Sequence, residues 1–471
     1  MFLCFYVVMI PSTIFRPYDI RGLAPGEIDE TVARRLGKAC AKLYSPKHVV
    51  IGRDVRATSD VIEAALVEAF ILSGVSVTRV GLCSTPMFYA AIGEAQGAYE
   101  LGVMVTASHN PPEYNGFKIM RFQNGAVIPI SQGLGMEELR DLAISDEALF
   151  DAATQGSETQ DDGLLERYVD RICSLAKLPE RFPPWRIALD AGNGMAGIVL
   201  PKLSKRLTGI EVTRLFWDLD SRCPNHEANP IKIETLAALR ASVAKNQCVL
   251  GAAYDGDADR IGLVDEEGVP IRGDILTAIL ASEILRMKGS GVILYDSRAS
   301  WSVPDAVRVA GGDPHLCKVG HGFFKHQMGE DHGIFGGELS GHYYFPELWN
   351  CESGDLVLLL VLQMLLRERK PLSAIRKTFQ QYIHSGEINF TVSNREAALS
   401  KLEQQFAPQA ALISHLDGIR LEFRDPIQPE NDWWFNARPA ANEPLLRLTL
   451  EARSVEQMEY RKEELTRLIV E

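Results

Sequence analysis

The sequence predicts an α/β protein: three similar α/β domains with mixed, mostly parallel sheets, followed by a smaller C-terminal α+β domain. Three observations lead there. Short apolar, β-rich runs alternate with helix-compatible stretches, the pattern of layered sheets with mostly parallel strands. One local arrangement, an apolar run, an aspartate and then a polar loop, occurs three times: HVVIGRDVRATSD (His48–Asp60), WRIALDAGNGMAG (Trp185–Gly197) and GVILYDSRASW (Gly291–Trp301). Near HSGEINF (His384–Phe390) the pattern changes to alternating strands such as LLRLTLEA (Leu445–Ala452), closed by one amphipathic helix over Ser454–Val470.

Taken in order, the start MFLCFYVVMI is apolar but lacks a basic leader and a cleavage site. It is also far shorter than the ~20 residues a membrane helix needs. It reads as a short buried strand, or as an over-long start ahead of Met9, in a soluble and unprocessed chain. VIEAALVEAFILSG (Val61–Gly74) is the clearest helix. The repeated arrangement recurs about every 100 residues, which implies related domains rather than a solenoid of ~20–50-residue repeats. Polar, Gly-rich stretches at Thr154–Gly163 and Asp265–Asp274 mark boundaries, giving domains at 1–158, 159–268, 269–384 and 385–471.

Composition narrows the function. A length of 471 residues exceeds one hydrophobic core and fits about three or four domains. A net charge of −13 argues against non-specific nucleic-acid binding, which draws its affinity from Lys and Arg. It still permits a small anionic ligand if basic groups gather in one place. Eight scattered cysteines show no C-x-x-C spacing, so neither zinc nor redox chemistry is indicated and a reducing cytoplasm is expected.

Four loops carry chemistry. In VMVTASHNPPEYNGFKI (Val103–Ile119) an apolar strand delivers Ser108 to the sheet edge where α/β folds bind ligands. The bland alternative is a helix capped by Asn110 with Pro111 at its first position. Lys118, set between Phe117 and Ile119, favours the functional reading, because a lysine on an apolar strand calls for an anionic partner. In GAAYDGDADRIGLVD, Asp255, Asp257 and Asp259 alternate as hard oxygen ligands for Mg²⁺ or Ca²⁺. Their spacing partly fits an EF-hand, but Arg260 stands where that loop requires glycine, and strands flank it instead of helices. In GIFGGELSGHYYF, glycines surround Glu338, Ser340 and His342, a donor and acceptor set suited to a polyhydroxyl ligand or to an ordinary turn. In WWFNARPAANEPLLRL, Arg438 precedes a small-residue turn able to cradle phosphate or simply to join two strands.

In this order the four loops resemble the α-D-phosphohexomutase superfamily, in its phosphomannomutase/phosphoglucomutase branch. The likeness runs from FRPYDIRG (Phe15–Gly22) to the C-terminal domain, and TASHNP with DGDADR is its most specific pair. The resemblance implies four domains around a central cleft. It makes Ser108 the catalytic serine, active when phosphorylated, its phosphate completing a Mg²⁺ site with Asp255, Asp257 and Asp259. Arg21 and Lys118 match basic residues near the reacting hydroxyl, His109 adjoins the serine, and Tyr18 matches a cleft residue. Arg260, Arg298, His321, Glu338, Ser340, His342, Arg438 and Asn442 match substrate-contacting positions. The implied reaction passes through hexose 1,6-bisphosphate, which also serves as activator. The expected partners are hexose phosphates, with no nucleic acid and no membrane, for a cytoplasmic monomer or weak homo-oligomer.

Two departures stand out. The phosphate loop of the family reads R-x-S-N-T-E-P or close to it, whereas here Ala440 and Ala441 replace side-chain partners, leaving Arg438, Asn442 and backbone N–H groups. Arg298 replaces a common lysine, keeping charge but altering geometry. Phosphoglucosamine mutase, a sugar-phosphate binding protein and a phosphatase are the alternatives. Leu339, where the glucosamine enzymes carry a polar residue, favours a neutral hexose, and the intact serine, aspartates and lysine speak against a mere binder.

Overall fold

Each aspartate-ended run becomes a strand with a parallel neighbour on either side. His48–Arg53 lies between Leu101–Val105 and Ser76–Leu82. Arg186–Asp190 lies between Leu250–Tyr254 and Glu211–Leu215. Val292–Asp296 lies between Asp313–Cys317 and Gly333–Gly337. The recurring aspartate has one local job: Asp54, Asp190 and Asp296 each accept a hydrogen bond from the backbone N–H two residues on, at 3.0, 2.8 and 2.7 Å. This Asx turn ends the strand and starts the loop that leads to the next helix.

These coordinates are a computed structural model, which describes residues 10–440 and 445–470. Met1 to Met9, most of the apolar start, and Asn442 therefore fall outside the described residues. The chain divides into two units, one running to Ile271 and including Ser340–Leu372, the other comprising Arg272–Leu339 and the chain from Ser373.

The first unit holds two sheets. In one, Tyr114–Gln123 runs antiparallel to Leu101–Val105 and carries Ile20–Leu23 on its outer edge. In the other, Ile261–Asp265 turns back antiparallel on Leu250–Tyr254. Leu101–Val105 and Leu250–Tyr254 are buried at every position, as expected of strands covered on both faces. Burying each large apolar side chain contributes about 1.5–3 kcal/mol, which makes these strands rigid platforms for the loops at their ends.

The second unit contains the three parallel strands Asp313–Cys317, Val292–Asp296 and Gly333–Gly337 and an antiparallel sheet. The latter has the order Ile383–Thr391, Leu445–Ala452, Trp433–Pro439, Ile419–Phe423, Leu412–Ser414. Helices Arg395–Phe406 and Val455–Val470 cover it over a core that includes Leu402, Phe435, Leu448 and Leu465. This is the small α+β domain expected from the change of pattern. Among the described residues no helix is long and apolar enough to cross a membrane.

Candidate active site

Strand Leu101–Val105 delivers Ser108 as expected, but no helix follows: Asn110 and Pro111 lie in turns. The backbone is committed elsewhere. Arg56, 9% exposed, donates to the carbonyls of Ser108, Asn110, Pro111 and Tyr114 at 2.7–2.9 Å, and so holds the loop in its curved form. Ser108 adopts φ +53°, a left-handed conformation uncommon for serine and one that persists where surrounding contacts impose it. Its Oγ lies 2.8 Å from Asp255 Oδ2 and 3.2 Å from His109 Nδ1. Arg21 braces the same loop, donating to Asn110 Oδ1 at 2.5 Å and to the Ala107 carbonyl at 3.2 Å, while Asp19 accepts from its Nε at 2.8 Å. Tyr18 is part-buried in the turn before Ile20–Leu23.

The acidic loop joins two antiparallel strands whose last pair is Tyr254 with Ile261, so three alternating aspartates fall in one tight connection. Asp255, Asp257 and Asp259 are all at most 1% exposed, and their carboxylate oxygens come within 4.8 Å of one another. Lys118, on Tyr114–Gln123, reaches Asp257 Oδ2 at 2.7 Å and Asp259 Oδ2 at 2.5 Å. Thr85 meets Asp257 twice, through Oγ1 to Oδ2 at 2.6 Å and through its N–H to the carbonyl at 2.9 Å. Gly256 lets the two loops touch: a Cβ there would lie 2.4 Å from the Ser108 carbonyl oxygen.

Electrostatics in this centre is dominated by crowding. Burial, and then the charges of Asp259 and Asp257, push the Asp255 carboxyl well above its usual range. Asp259 is held well below that range despite burial, because Lys118 and His342 stabilise its charge. Burial opposes the Lys118 charge, yet Asp257 and Asp259 outweigh it and raise the ammonium above its ordinary value. Burial, with Arg260 and Arg21 nearby, keeps His109 well below the usual imidazole value and so neutral at neutral pH. Three carboxylates thus share too little positive charge, and Asp257 Oδ1 is buried with no hydrogen-bond partner among the described residues. A hard oxygen set short of positive charge, with Ser108 Oγ alongside, fits a divalent cation.

Arg260 and the Gly-rich loop complete this unit. Arg260 N–H donates to Asp255 Oδ1 at 3.1 Å. His342 Nε2 lies 3.3 Å from both Arg260 Nε and Asp259 Oδ1, and its Nδ1 is 2.9 Å from Ser340 Oγ. Glu352 brings a further carboxylate close to Asp259 and His342.

In the second unit Arg298 is clamped by Asp296 through Nε at 3.2 Å and Nη2 at 2.9 Å. Glu338 Oε1 accepts from the Gly320 N–H at 2.9 Å, just ahead of His321, which starts helix His321–Glu330. Lys325, fully buried, lies 3.4 Å from His321 Nδ1. Arg438 is 5% exposed and donates to Glu387 Oε2 at 2.9 Å, with Arg447 and Arg298 at 3.2 and 3.6 Å from the same carboxylate.

The first unit therefore gathers Ser108, His109, Arg21, Lys118, the three aspartates, Arg260, Ser340 and His342. The second gathers Arg298 with Arg438, and Glu338 with His321. Sequence reasoning missed Arg56, Thr85, Glu352, Glu387 and Arg447. Arg56 stands in the first aspartate-ended run, within GRDVR, but nothing there signals that it grips the serine loop.

A serine presented on a rigid edge, against buried carboxylates and cations, defines an enzyme centre suited to phosphoryl transfer. Four sequence signatures match along the chain, all described as phosphoglucomutase/phosphomannomutase. They are alpha/beta/alpha domain I at residues 12–137, domain II at 166–268, domain III at 272–382 and the C-terminal domain at 387–468. The phosphomannomutase of Methanocaldococcus jannaschii is 36% identical over 463 residues, covering 97% of each chain. That of Escherichia coli K12 is 34% identical over 465 residues, covering 98% of this chain and 99% of its own. A phosphoglucomutase/phosphomannomutase family protein of Burkholderia thailandensis superposes with TM-score 0.86 at 30% identity, covering 98% of both chains. The chain belongs to the phosphoglucomutase/phosphomannomutase family.

Proposed function

We propose that the protein interconverts the 1- and 6-phosphates of mannose and glucose through a phosphoserine at position 108 and a hexose 1,6-bisphosphate. The observation that carries this reading is Ser108 itself. Its Oγ stands 2.8 Å from a buried carboxylate on a strained, fully braced loop, an expensive arrangement for a residue that only binds. The unit that contains it supplies the chemistry. Arg21 and Lys118 place positive charge around the serine loop and the aspartates. His109 and His342 are the imidazoles of this centre able to move the proton of the attacking hydroxyl, and Ser340 at Nδ1 orients the second. Asp255, Asp257 and Asp259, with the phosphorylated Ser108, would hold Mg²⁺, which neutralises charge on the transferring phosphoryl group when bound. Arg298 and Arg438 are the side chains this reading assigns to the phosphate that does not react, and His321 and Glu338 those it assigns to the sugar.

Turnover on glucose 1-phosphate, mannose 1-phosphate and glucosamine 1-phosphate, each with glucose 1,6-bisphosphate and Mg²⁺, tests this. Glucose and mannose phosphates should turn over and Ser108→Ala should not. Preference for glucosamine 1-phosphate would make the protein a phosphoglucosamine mutase instead. Release of inorganic phosphate over many turnovers would make it a phosphatase.

A further inference from the structure

Away from the serine and acidic loops, the first unit contains a cavity of about 940 Å³, a size typical of small-molecule sites. Its walls are mainly apolar, with Trp185, Val249, Leu365 and Leu366 among them. Arg369 and Lys370, both exposed, border it just beyond helix Gly354–Glu368, and Glu266 is its single carboxylate among the described residues. Arg369 ends that helix at φ +53°, a left-handed position that glycine usually takes. Gln247, which ends helix Ala237–Asn246 at φ +51°, borders the same cavity. Two helices thus stop here, each on a long polar side chain. Cations also complement the dipole at a helix C-terminus, so Arg369 and Lys370 alone would not mark a site. What marks it is a positive border around an apolar space.

Three elements run from this cavity to the acidic loop. Strand Leu250–Tyr254 begins just after Val249 and ends just before Asp255. Its antiparallel neighbour Ile261–Asp265 begins just after Arg260 and ends just before Glu266. Helix Gly354–Glu368 reaches the cavity with Leu365 and Leu366, and its other end is seated on the acidic hairpin. A Cβ on Gly354 would lie 3.0 Å from Ile261 Cβ and 3.2 Å from Tyr254 Cε1. Strands of five residues span ~17 Å and a helix of 15 residues ~22 Å, so the cavity is separate from the serine centre. Close-packed elements of this kind transmit displacement rather than absorb it. We propose that the cavity is an effector site for a small aromatic anion, a flat apolar body bearing one acidic group, and that its occupancy changes cation affinity at the acidic loop. Trp185 and the leucines take the body, and Arg369 and Lys370 take the acidic group. Two cations against Glu266 leave the border positive, which selects anions among apolar molecules. The site goes beyond the mutase reading and does not depend on it; the coupling rests on the cation site proposed there.

The test uses the full-length protein and two fluorescent probes, anilinonaphthalene sulfonate, an aromatic anion, and phenylnaphthylamine, its neutral counterpart. The sulfonate should bind at one saturable site. Ala244→Trp fills the cavity from an exposed helix position, and Leu366→Glu places a like charge on its half-buried wall. Each should weaken sulfonate binding about tenfold or more. The double variant Arg369→Gln, Lys370→Gln should weaken the sulfonate about three- to tenfold and leave the neutral probe unchanged, which a loss of structure would not do. Mg²⁺ affinity, by calorimetry with and without saturating sulfonate, should change about fivefold or more, and Mg²⁺ should change sulfonate affinity by the same factor. Sulfonate binding that survives both cavity variants, or an equal loss of both probes in the double variant, would overturn the site. One and the same Mg²⁺ affinity with and without the sulfonate would overturn the coupling. A wild type that binds the sulfonate but no Mg²⁺ would remove the cation reading, and the coupling with it. A wild-type dimer that Leu366→Glu dissociates would overturn the effector site in favour of a second copy of this chain.

Discussion

Replacing Lys118 by Met removes one buried cation and leaves the crowded aspartates facing one another. The ammonium lies 2.7 Å from Asp257 and 2.5 Å from Asp259, and the lysine side chain is 2% exposed. At an effective dielectric constant near 20, unit charges at these separations attract by about 6 kcal/mol each before desolvation is counted. Desolvation absorbs much of that. Breaking a buried ion pair from one side typically costs about 3–5 kcal/mol, because the surviving charge stays buried. Arg21 adds positive potential at the same aspartates, which keeps the expected loss within that range. Unfolding followed in EDTA should therefore show Lys118→Met less stable than wild type by about 3–5 kcal/mol. Mg²⁺ should then do more for the variant than for the wild type, since no ammonium competes for the carboxylates. Each tenfold gain in affinity adds about 1.4 kcal/mol of stabilisation at saturating ion. Catalysis should not return with stability, because charge around the transferring group is lost. A variant within about 1 kcal/mol of wild type in EDTA, or equal Mg²⁺ shifts in the two proteins, would refute this reasoning.

Two further perturbations follow from the same structure. Gly256→Ala puts a Cβ 2.4 Å from the Ser108 carbonyl oxygen, so the acidic and serine loops must part. It should destabilise by about 1–3 kcal/mol, and slow phosphoryl uptake by at least about tenfold through misplacement; an unchanged uptake rate would contradict the close approach. Asp355 is buried and pushed up to about 6 by desolvation, against a hydrogen bond from the Tyr168 hydroxyl at 2.9 Å. A carboxyl that ionises later in the folded than in the unfolded state makes the protein lose stability as pH rises between the two values. From 3.8 to about 6 the loss amounts to about 3 kcal/mol. The stability of Asp355→Asn relative to wild type should therefore climb by that amount between about pH 4 and 6.5 and stay level above. Paired denaturation curves with no pH dependence in their difference would show that Asp355 is not raised.

Much of the fold was legible because one sequence pattern does one physical job three times. An apolar run ending in Asp54, Asp190 or Asp296 reads as a strand followed by a turn, and the aspartate accepts the backbone N–H that makes the turn. The acidic loop was legible for a similar reason: alternating aspartates between two apolar runs must crowd together at a hairpin. Local signals failed where a residue matters through distant partners. Arg56 grips carbonyls more than fifty residues away, and no spacing rule reports that. Glu387 and Arg447 depend on strand register: Arg438 and Arg447 face each other because Trp433–Pro439 and Leu445–Ala452 pair antiparallel in that register. The capped helix that Asn110 and Pro111 could have started lost to tertiary contacts. Arg21 takes the Asn110 side chain and Arg56 takes the carbonyls of Asn110 and Pro111. The two-unit division, with Ser340–Leu372 returning to the first unit, was equally invisible to composition.

The central claim is that Ser108 is the phosphoryl donor. Intact-protein mass before and after incubation with glucose 1,6-bisphosphate and Mg²⁺, for wild type and Ser108→Ala, tests it most directly. The account predicts the gain of one phosphoryl group in the wild type and none in the variant. An equal gain in both proteins would place the donor elsewhere, and no gain in either would remove the mutase chemistry altogether.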